Sequence, residues 1–125
     1  MKILLDTCAI LWWTLDQRQL PSQLLLKLNQ NDLFISSISI WEIGLKIKNK
    51  KLDIEMNIQT YTDKLKEIST LQIIPINETI WLKNLELSWD HKDPADRTIV
   101  ATAFLNDCWI VTSDQKISSF YKKIL

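Results

Sequence analysis

Short apolar runs alternate along this chain with longer stretches in which apolar residues recur every three or four positions. The short runs, which predict buried strands, are residues 2–5, 33–36, 71–76 and 108–112. The longer stretches predict amphipathic helices, and their apolar positions are Leu20, Leu24, Leu25 and Leu28, then Ile40, Ile43, Gly44 and Ile47, then Ile54, Ile58, Tyr61, Leu65 and Ile68, and finally Ile80, Trp81 and Leu85. A further helix is predicted over residues 94–104, because Asp93 is a favoured N-cap and Pro94 suits the first helical position.

Strands that alternate with helices predict an α/β fold with a short, mostly parallel sheet of four to five strands and helices on both faces. Gly44 is the only glycine, which argues against a hairpin-rich all-β fold that needs glycine in its tight turns. The length of 125 residues is typical of one domain, and no linker or repeat divides the chain.

Composition narrows the class of protein. Fifteen basic and fifteen acidic residues give a net charge of zero, so the chain lacks the overall basic charge typical of a nucleic-acid-binding domain. No apolar run approaches the ~18 residues of a membrane span, and the apolar stretch at the N-terminus is too short for a secretory signal. We therefore expect a cytoplasmic protein without membrane contact.

Sulfur and imidazole ligands are scarce. Cys8, Cys108 and the single histidine, His91, lie far apart and show no zinc-ligand spacing. Both cysteines have apolar neighbours in the sequence, so we expect buried free thiols. A metal site in this chain would therefore use oxygen ligands.

Four acidic residues stand where the predicted elements join. Asp6 and Asp114 follow predicted strands, Glu42 lies within a predicted helix, and Asp96 lies in the first turn of another. Ligands of parallel sheets bind at the carboxyl ends of the strands, so we expect Asp6 and Asp114 at the same edge. Four carboxylates brought together repel one another unless a cation lies between them, and Mg²⁺ and Mn²⁺ prefer oxygen ligands.

Each acid also has a purely structural interpretation. Asp6 and Asp114 are suitable helix N-caps, Ser39 and Glu42 have the spacing of a capping box, and Asp96 complements a helix dipole.

Two other functions of the protein stay open. One is a non-catalytic binding module that holds a structural ion. The other is a phosphatase-like phosphoryl-transfer enzyme with Asp6 as nucleophile, although it would want a second aspartate where Cys8 stands.

Four short motifs, at residues 3–7, 36–43, 91–97 and 110–114, follow one another across essentially the whole chain. Together they resemble the PIN-domain family, and within it the VapC-type toxins of bacterial toxin–antitoxin pairs. The resemblance implies a three-layer α/β/α domain over residues 1–125. It assigns catalytic and metal-binding roles to the four acids, and it makes the two threonines of the motifs supporting residues; these positions are Asp6, Glu42, Asp96, Asp114, Thr7 and Thr112.

The resemblance also implies an activity and partners. The expected activity is a Mg²⁺- or Mn²⁺-dependent endoribonuclease that cuts structured RNA such as transfer or ribosomal RNA. The expected partners are a cognate antitoxin protein that covers the site and a second copy of the chain in a homodimer. Attack by an activated water would leave a 5′-phosphate and a 3′-hydroxyl.

Candidate RNA contacts lie beside the acidic motifs. Lys46 and Lys50 extend the helix that carries Glu42 and are expected to contact the RNA backbone. Arg97 suits either bidentate binding of a phosphate or an ion pair with a neighbouring acid. His91 is a candidate general acid, or else a residue that positions its loop.

The six tryptophans are divided between packing and recognition. Five are expected in the core or in interfaces, namely Trp12, Trp13, Trp41, Trp81 and Trp109. Trp89 lies in the loop before the acidic helix and is a candidate for stacking on an RNA base. An antitoxin helix is expected to dock in a groove lined by the tryptophans at 12 and 13 and by the 40–47 helix.

Overall fold

A computed structural model describes all of residues 1–125 and contains four parallel strands and seven α-helices. The strands are β1 (Lys2–Leu5), β2 (Asp32–Ser36), β3 (Leu71–Ile74) and β4 (Trp109–Val111). The helices are α1 (Thr7–Leu15), α2 (Ser22–Asn29), α3 (Ser37–Lys48), α4 (Ile58–Lys66), α5 (Glu78–Glu86), α6 (Pro94–Asn106) and α7 (Gln115–Phe120). None of these helices has both the length and the apolar character that crossing a membrane requires.

The sheet has the order β3-β2-β1-β4, and helices cover both of its faces. Side chains of β1 alternate between these faces, as the two-residue period of a strand requires. Ile3 and Leu5 pack with residues of α1 to α4, whereas Leu4 packs with residues of α5 to α7. All three are fully buried. The predicted three-layer α/β/α architecture is therefore confirmed.

The order of the strands reverses its direction at β1, because β2 pairs on one side of it and β4 on the other. Leu5 lies opposite Val111 in the register, so Asp6 and Thr112 leave the sheet side by side. The backbone N–H of Asp6 donates to the carbonyl of Val111 at 3.2 Å. Such a reversal opens a crevice at the carboxyl edge of a parallel sheet, which is where ligands bind in this class of fold.

Two strands are shorter than predicted. β3 ends at Ile74 rather than at residue 76, because Pro75 has no N–H to donate to a neighbouring strand. β4 ends at Val111, so Thr112 lies beyond the sheet. The chain terminus returns to this strand, where the N–H of Ile110 donates to the carbonyl of Lys123 and its carbonyl accepts from the N–H of the last residue.

The helix predicted from Ile54 begins later, at Ile58. Asn57 caps α4 by accepting a hydrogen bond from the N–H of Thr60 at 2.8 Å. Glu55 has a left-handed backbone with φ of 62°, which interrupts any helix before the cap. Ile54 is nevertheless buried in the core, so its apolar character was informative although its predicted helical state was wrong.

The face that α5 buries also differs from the prediction. Trp81 and Leu85 are 45% and 78% exposed, while Ile80 and Asn84 are buried. Asn84 tolerates burial because its side-chain amide donates to the hydroxyl of Thr98 on α6 at 3.0 Å. Of the three predicted apolar positions only Ile80 is buried, since the contact with α6 includes this polar pair.

Trp41, expected in the core or in an interface, and Cys8, expected as a buried thiol, both lie at the surface. Trp41 on α3 is 57% exposed, which leaves only the interface interpretation for that side chain. Cys8 is exposed as the second residue of α1, and Cys108 is buried in the core. Both thiols are free, as expected.

Candidate active site

A cleft of about 490 Å³ at the carboxyl edge of the sheet brings the four candidate acids together. Its lining residues are Asp6, Thr7, Cys8, Glu42, Lys46, Asp93, Asp96, Ser113, Asp114 and Gln115. Ser113 and Gln115 were not predicted as site residues, and the only sequence signal for them is that they flank Asp114. Residues from four separate parts of the chain therefore form one acidic site at the point where the strand order reverses.

Asp6 is the most buried of the four acids and is held at both oxygens. Its Oδ1 accepts from the N–H of Ala9 at 2.8 Å, which makes it the N-cap of α1. Its Oδ2 accepts from the hydroxyl of Thr112 at 2.5 Å, and that hydroxyl oxygen accepts in turn from the N–H of Asp114 at 2.9 Å. Thr112 thus connects the two acids that follow β1 and β4.

Asp114 is both a helix cap and a member of the cleft. Its Oδ1 accepts from the backbone N–H groups of Lys116 and Ile117, at 2.8 and 3.2 Å. Its Oδ2 forms no hydrogen bond within the chain, so one oxygen stays available to a ligand. The structural interpretation of this residue and the functional one are therefore compatible.

Asp96 reaches the cleft from the first turn of α6, whose N-cap is Asp93. Its Oδ2 lies 2.7 Å from Nε2 of His91. Because an ionised carboxylate can only accept, Nε2 carries the hydrogen in this pair. The second oxygen of Asp96 has no partner within the chain.

Glu42 lies in the second turn of α3, not at its N-terminus. Ser36 caps this helix, so the capping box predicted between Ser39 and Glu42 does not form. Helix dipole effects fade within the first turn, so the α3 dipole contributes little at Glu42. The hydroxyl of Ser39 is instead 2.9 Å from that of Thr7, which ties α3 to α1 beside the cleft.

Like charges interact across this cleft. Burial raises the pKa of Asp6, hydrogen bonds from Thr112 and Ala9 partly offset it, and the charges of Asp96 and Asp114 raise the pKa further. Burial likewise raises the pKa of Asp96. A divalent cation among these carboxylates would relieve both the desolvation and the repulsion.

The possible ligand atoms of the four acids suit a hard divalent cation, because all of them are carboxylate oxygens. No three acidic, cysteine or histidine side chains are arranged closely enough in this structure to hold an ion together. The three aspartates are instead held by hydrogen bonds from Thr112, from His91 and from the first turn of α7. Such separate anchoring is what mutually repelling carboxylates are expected to show.

Fold and cleft together define the class of protein: a three-layer α/β domain whose site is built from carboxylates where the strand order of a parallel sheet reverses. The PIN domain family matches residues 3–123, and the chain belongs to this family. The family resemblance seen in the four motifs is thereby confirmed. A search of proteins with curated functions gave no significant match.

Several solved structures share this fold. A chain of a Klebsiella pneumoniae toxin–antitoxin complex has a TM-score of 0.66 and 21% identity, over 98% of this chain and 95% of that one. A chain of VapBC2 from Rickettsia felis, bound to a DNA fragment from its promoter, has a TM-score of 0.71 and 19% identity, over 100% and 96%. FitAcB from Neisseria gonorrhoeae gives 0.62 and 22%, over 92% and 89%. These identities establish a shared fold.

Arg97 has neither of the two roles expected from the sequence. Its Nε donates to Oδ1 of Asn84, Nη1 donates to the carbonyls of Trp89 and His91, and Nη2 donates to the carbonyls of Asn84 and Leu87, at 2.6–3.3 Å. All five N–H groups of the guanidinium are thus used within the chain. None is left for a phosphate or an acid, and Arg97 instead clamps the loop between α5 and α6.

The other candidate RNA contacts are dispersed. Lys46 lines the acidic cleft, whereas Lys50 follows the end of α3 with a left-handed backbone and lies beside Leu52 and Asp53, away from that cleft. Trp89 is stacked within the protein rather than free for a base. Of the two candidate lysines, only Lys46 is therefore placed directly at the acids.

Replacing Asp6 with Asn should stabilise the metal-free protein. Asn keeps the cap acceptor but removes a buried charge. Because burial in the folded protein raises the pKa of Asp6, the contribution of this residue to stability falls as pH rises above its ordinary pKa of 3.8. We expect the melting temperature of Asp6→Asn to exceed that of wild type by a few degrees at pH 7 without divalent ions, and the difference to shrink toward pH 4. A lower melting temperature at pH 7 would contradict this account.

Replacing Arg97 with Lys should destabilise the fold. A single ammonium cannot reach four carbonyls and an amide, so buried acceptors lose their donors, at a cost of about 2–4 kcal/mol in unfolding free energy. Chemical denaturation measures this loss. Arg18→Lys, at a side chain that is 91% exposed, is the matched control and should stay within about 0.5 kcal/mol of wild type. If Arg97→Lys has the same unfolding free energy as wild type, the hydrogen bonds of Arg97 to the loop are not needed for stability.

Proposed function

We propose that this protein is a metal-dependent endoribonuclease and the toxin component of a toxin–antitoxin pair. The observation that carries the proposal is the convergence of Asp6, Glu42, Asp96 and Asp114 in one cleft of a PIN domain. The toxin assignment is supported by the fold shared with chains of toxin–antitoxin complexes over nearly the full length. Action on cellular RNA would place the protein in the cytoplasm.

The anchoring of each acid suggests its role. Asp6 is fixed at the base of the cleft, while Asp96 and Asp114 each keep one oxygen without a partner in the chain. With Glu42 approaching from α3, these oxygens would hold Mg²⁺ or Mn²⁺. Such an ion, when bound, supplies the charge that activates a water molecule and neutralises the scissile phosphate.

Basic side chains flank the acidic cleft and suit the phosphates on either side of the scissile one. Lys46 lines the cleft itself. A second cleft of about 770 Å³ adjoins it, since Asp93 and Gln115 line both, and contains Lys92 and Lys116. None of these three lysines forms an ion pair within the chain. We propose that a structured RNA, with transfer and ribosomal RNA as first candidates, crosses both clefts.

Exposed apolar side chains support the proposal that two protein partners, an antitoxin and a second copy of the chain, bind to helical surfaces. Trp41 and Leu45 on α3 are 57% and 38% exposed, and with the tryptophans of α1 they are our proposed docking surface for an antitoxin helix. On α5, Leu82 and Leu85 are 64% and 78% exposed, which supports the proposal of a homodimer.

Purified protein should cleave RNA only when a divalent ion is present. In Mg²⁺ or Mn²⁺, we expect total RNA to give discrete fragments with 5′-phosphate and 3′-hydroxyl ends. Asp96→Asn should cleave at least about 100-fold less. This variant loses a proposed metal ligand but keeps an acceptor for His91. Asp63→Asn on the exposed side of α4 is the control preparation. A 2′,3′-cyclic phosphate product would refute the mechanism, and metal-dependent stability without cleavage would favour a binding module.

Lys46 should contribute to RNA binding more than lysines elsewhere. We expect Lys46→Ala to weaken binding of a catalytically inactive Asp96→Asn protein to RNA and to make log Kd less steep in log salt, since one phosphate contact is lost. Lys66→Ala on α4, exposed and away from both clefts, should match the parent. If the slope of log Kd against log salt is the same for Lys46→Ala and Lys66→Ala, Lys46 makes no phosphate contact and is an ordinary solvated lysine.

A further inference from the structure

The loop between α5 and α6, residues 87–93, is fixed from two helices. From α6, Arg97 binds the carbonyls of Leu87, Trp89 and His91. From α7, the ring of Phe120 stacks on that of Trp89, with centroids 4.6 Å apart and planes 7° from parallel. A loop held in this way has little freedom to move its backbone or the ring of Trp89.

These contacts lead to one carboxylate of the acidic cleft. The ring of His91 packs against that of Trp89, with centroids 4.8 Å apart and a 53° tilt, and its Nε2 donates to Oδ2 of Asp96 at 2.7 Å. The His91 side chain is only 13% exposed. Its imidazole is thus held by the aromatic contact, by the clamped backbone and by the carboxylate itself.

The same stack joins the two helices that carry cleft acids. Phe120 is the last residue of α7, which Asp114 caps, and Asp96 lies in the first turn of α6. The row of rings from Phe120 through Trp89 to His91 therefore spans the distance between these helices. Packed aromatic pairs are stiff and geometrically specific, so the row restricts how the two acids can shift relative to each other.

We propose that His91 is a positioning residue for the cation site. Its N–H occupies one oxygen of Asp96 and so directs the other toward the cleft, while Trp89, Phe120 and the Arg97 clamp hold the imidazole in place. The inference rests on the proposed metal site and adds to it the group that orients a ligand. Removing a hydrogen bond to a metal-binding side chain typically costs 10–100-fold in metal affinity, because the ligand must then be ordered on binding.

Mn²⁺ affinity, measured by calorimetry on the full chain, tests this role without relying on RNA cleavage. His91→Phe keeps a ring against Trp89 but removes the donor, and should bind Mn²⁺ about 10-fold or more weakly with a melting temperature close to wild type. His91→Gln retains a side-chain N–H and should recover part of the affinity. Ser88→Ala, an exposed position in the same loop, is the control and should bind like wild type.

Wild-type Mn²⁺ affinity in His91→Phe would overturn the inference, whatever its stability, because it would assign the residue to the loop alone. If that variant does not fold, Phe120→Leu loosens the stack from a distance. It should then reduce Mn²⁺ affinity by a smaller factor, and an unchanged affinity would overturn the inference. If the wild-type protein binds Mn²⁺ but does not cleave RNA, only the proposed function is refuted. If the wild-type protein does not bind Mn²⁺, both the cation site and this inference are refuted.

Discussion

The pairing of β1 with β4 is the contact on which the whole site depends. It joins segments about a hundred residues apart and sets Leu5 opposite Val111. That register places the hydroxyl of Thr112 at the carboxylate of Asp6, and the same hydroxyl accepts from the backbone of Asp114. A slip of one residue would turn every side chain of β4 to the other face of the sheet and separate the two acids. The chemistry of the cleft is thus a consequence of strand register.

Elements with strong local signals were predictable from the sequence. The cap and first turn of α6 follow from Asp93 and Pro94, and β1 follows from an uninterrupted apolar run. Predictions failed where a distant partner decides the outcome. Asn84 is buried on α5 because Thr98 on another helix accepts from it, which no periodicity within α5 could show. Similarly, Ser36 caps α3 because β2 ends at that residue. The capping box expected from Ser39, three residues later, therefore does not form.

The site was predictable as a set of acids but not as a structure. Strand ends pointed to two of them, because parallel strands deliver their carboxyl ends to one edge. Thr112 was expected as a supporting residue, but the partners of Thr112, His91 and Arg97 were not predictable, since only the folded chain creates these contacts. Arg97 shows this best: next to an acid in sequence, it turns to loop carbonyls instead, because consecutive helical positions face different directions.

Both margins of the sheet carry protection against further strands. At β4 the backbone groups of Ile110 are already bonded to the returning chain terminus. At β3 the strand has four residues, and Pro75 follows it directly. Short edges and proline are common protections against edge-to-edge aggregation. Extension of this sheet by another chain is therefore disfavoured, which leaves the helical surfaces, where side chains rather than backbone determine selectivity, as the favoured place for a protein partner.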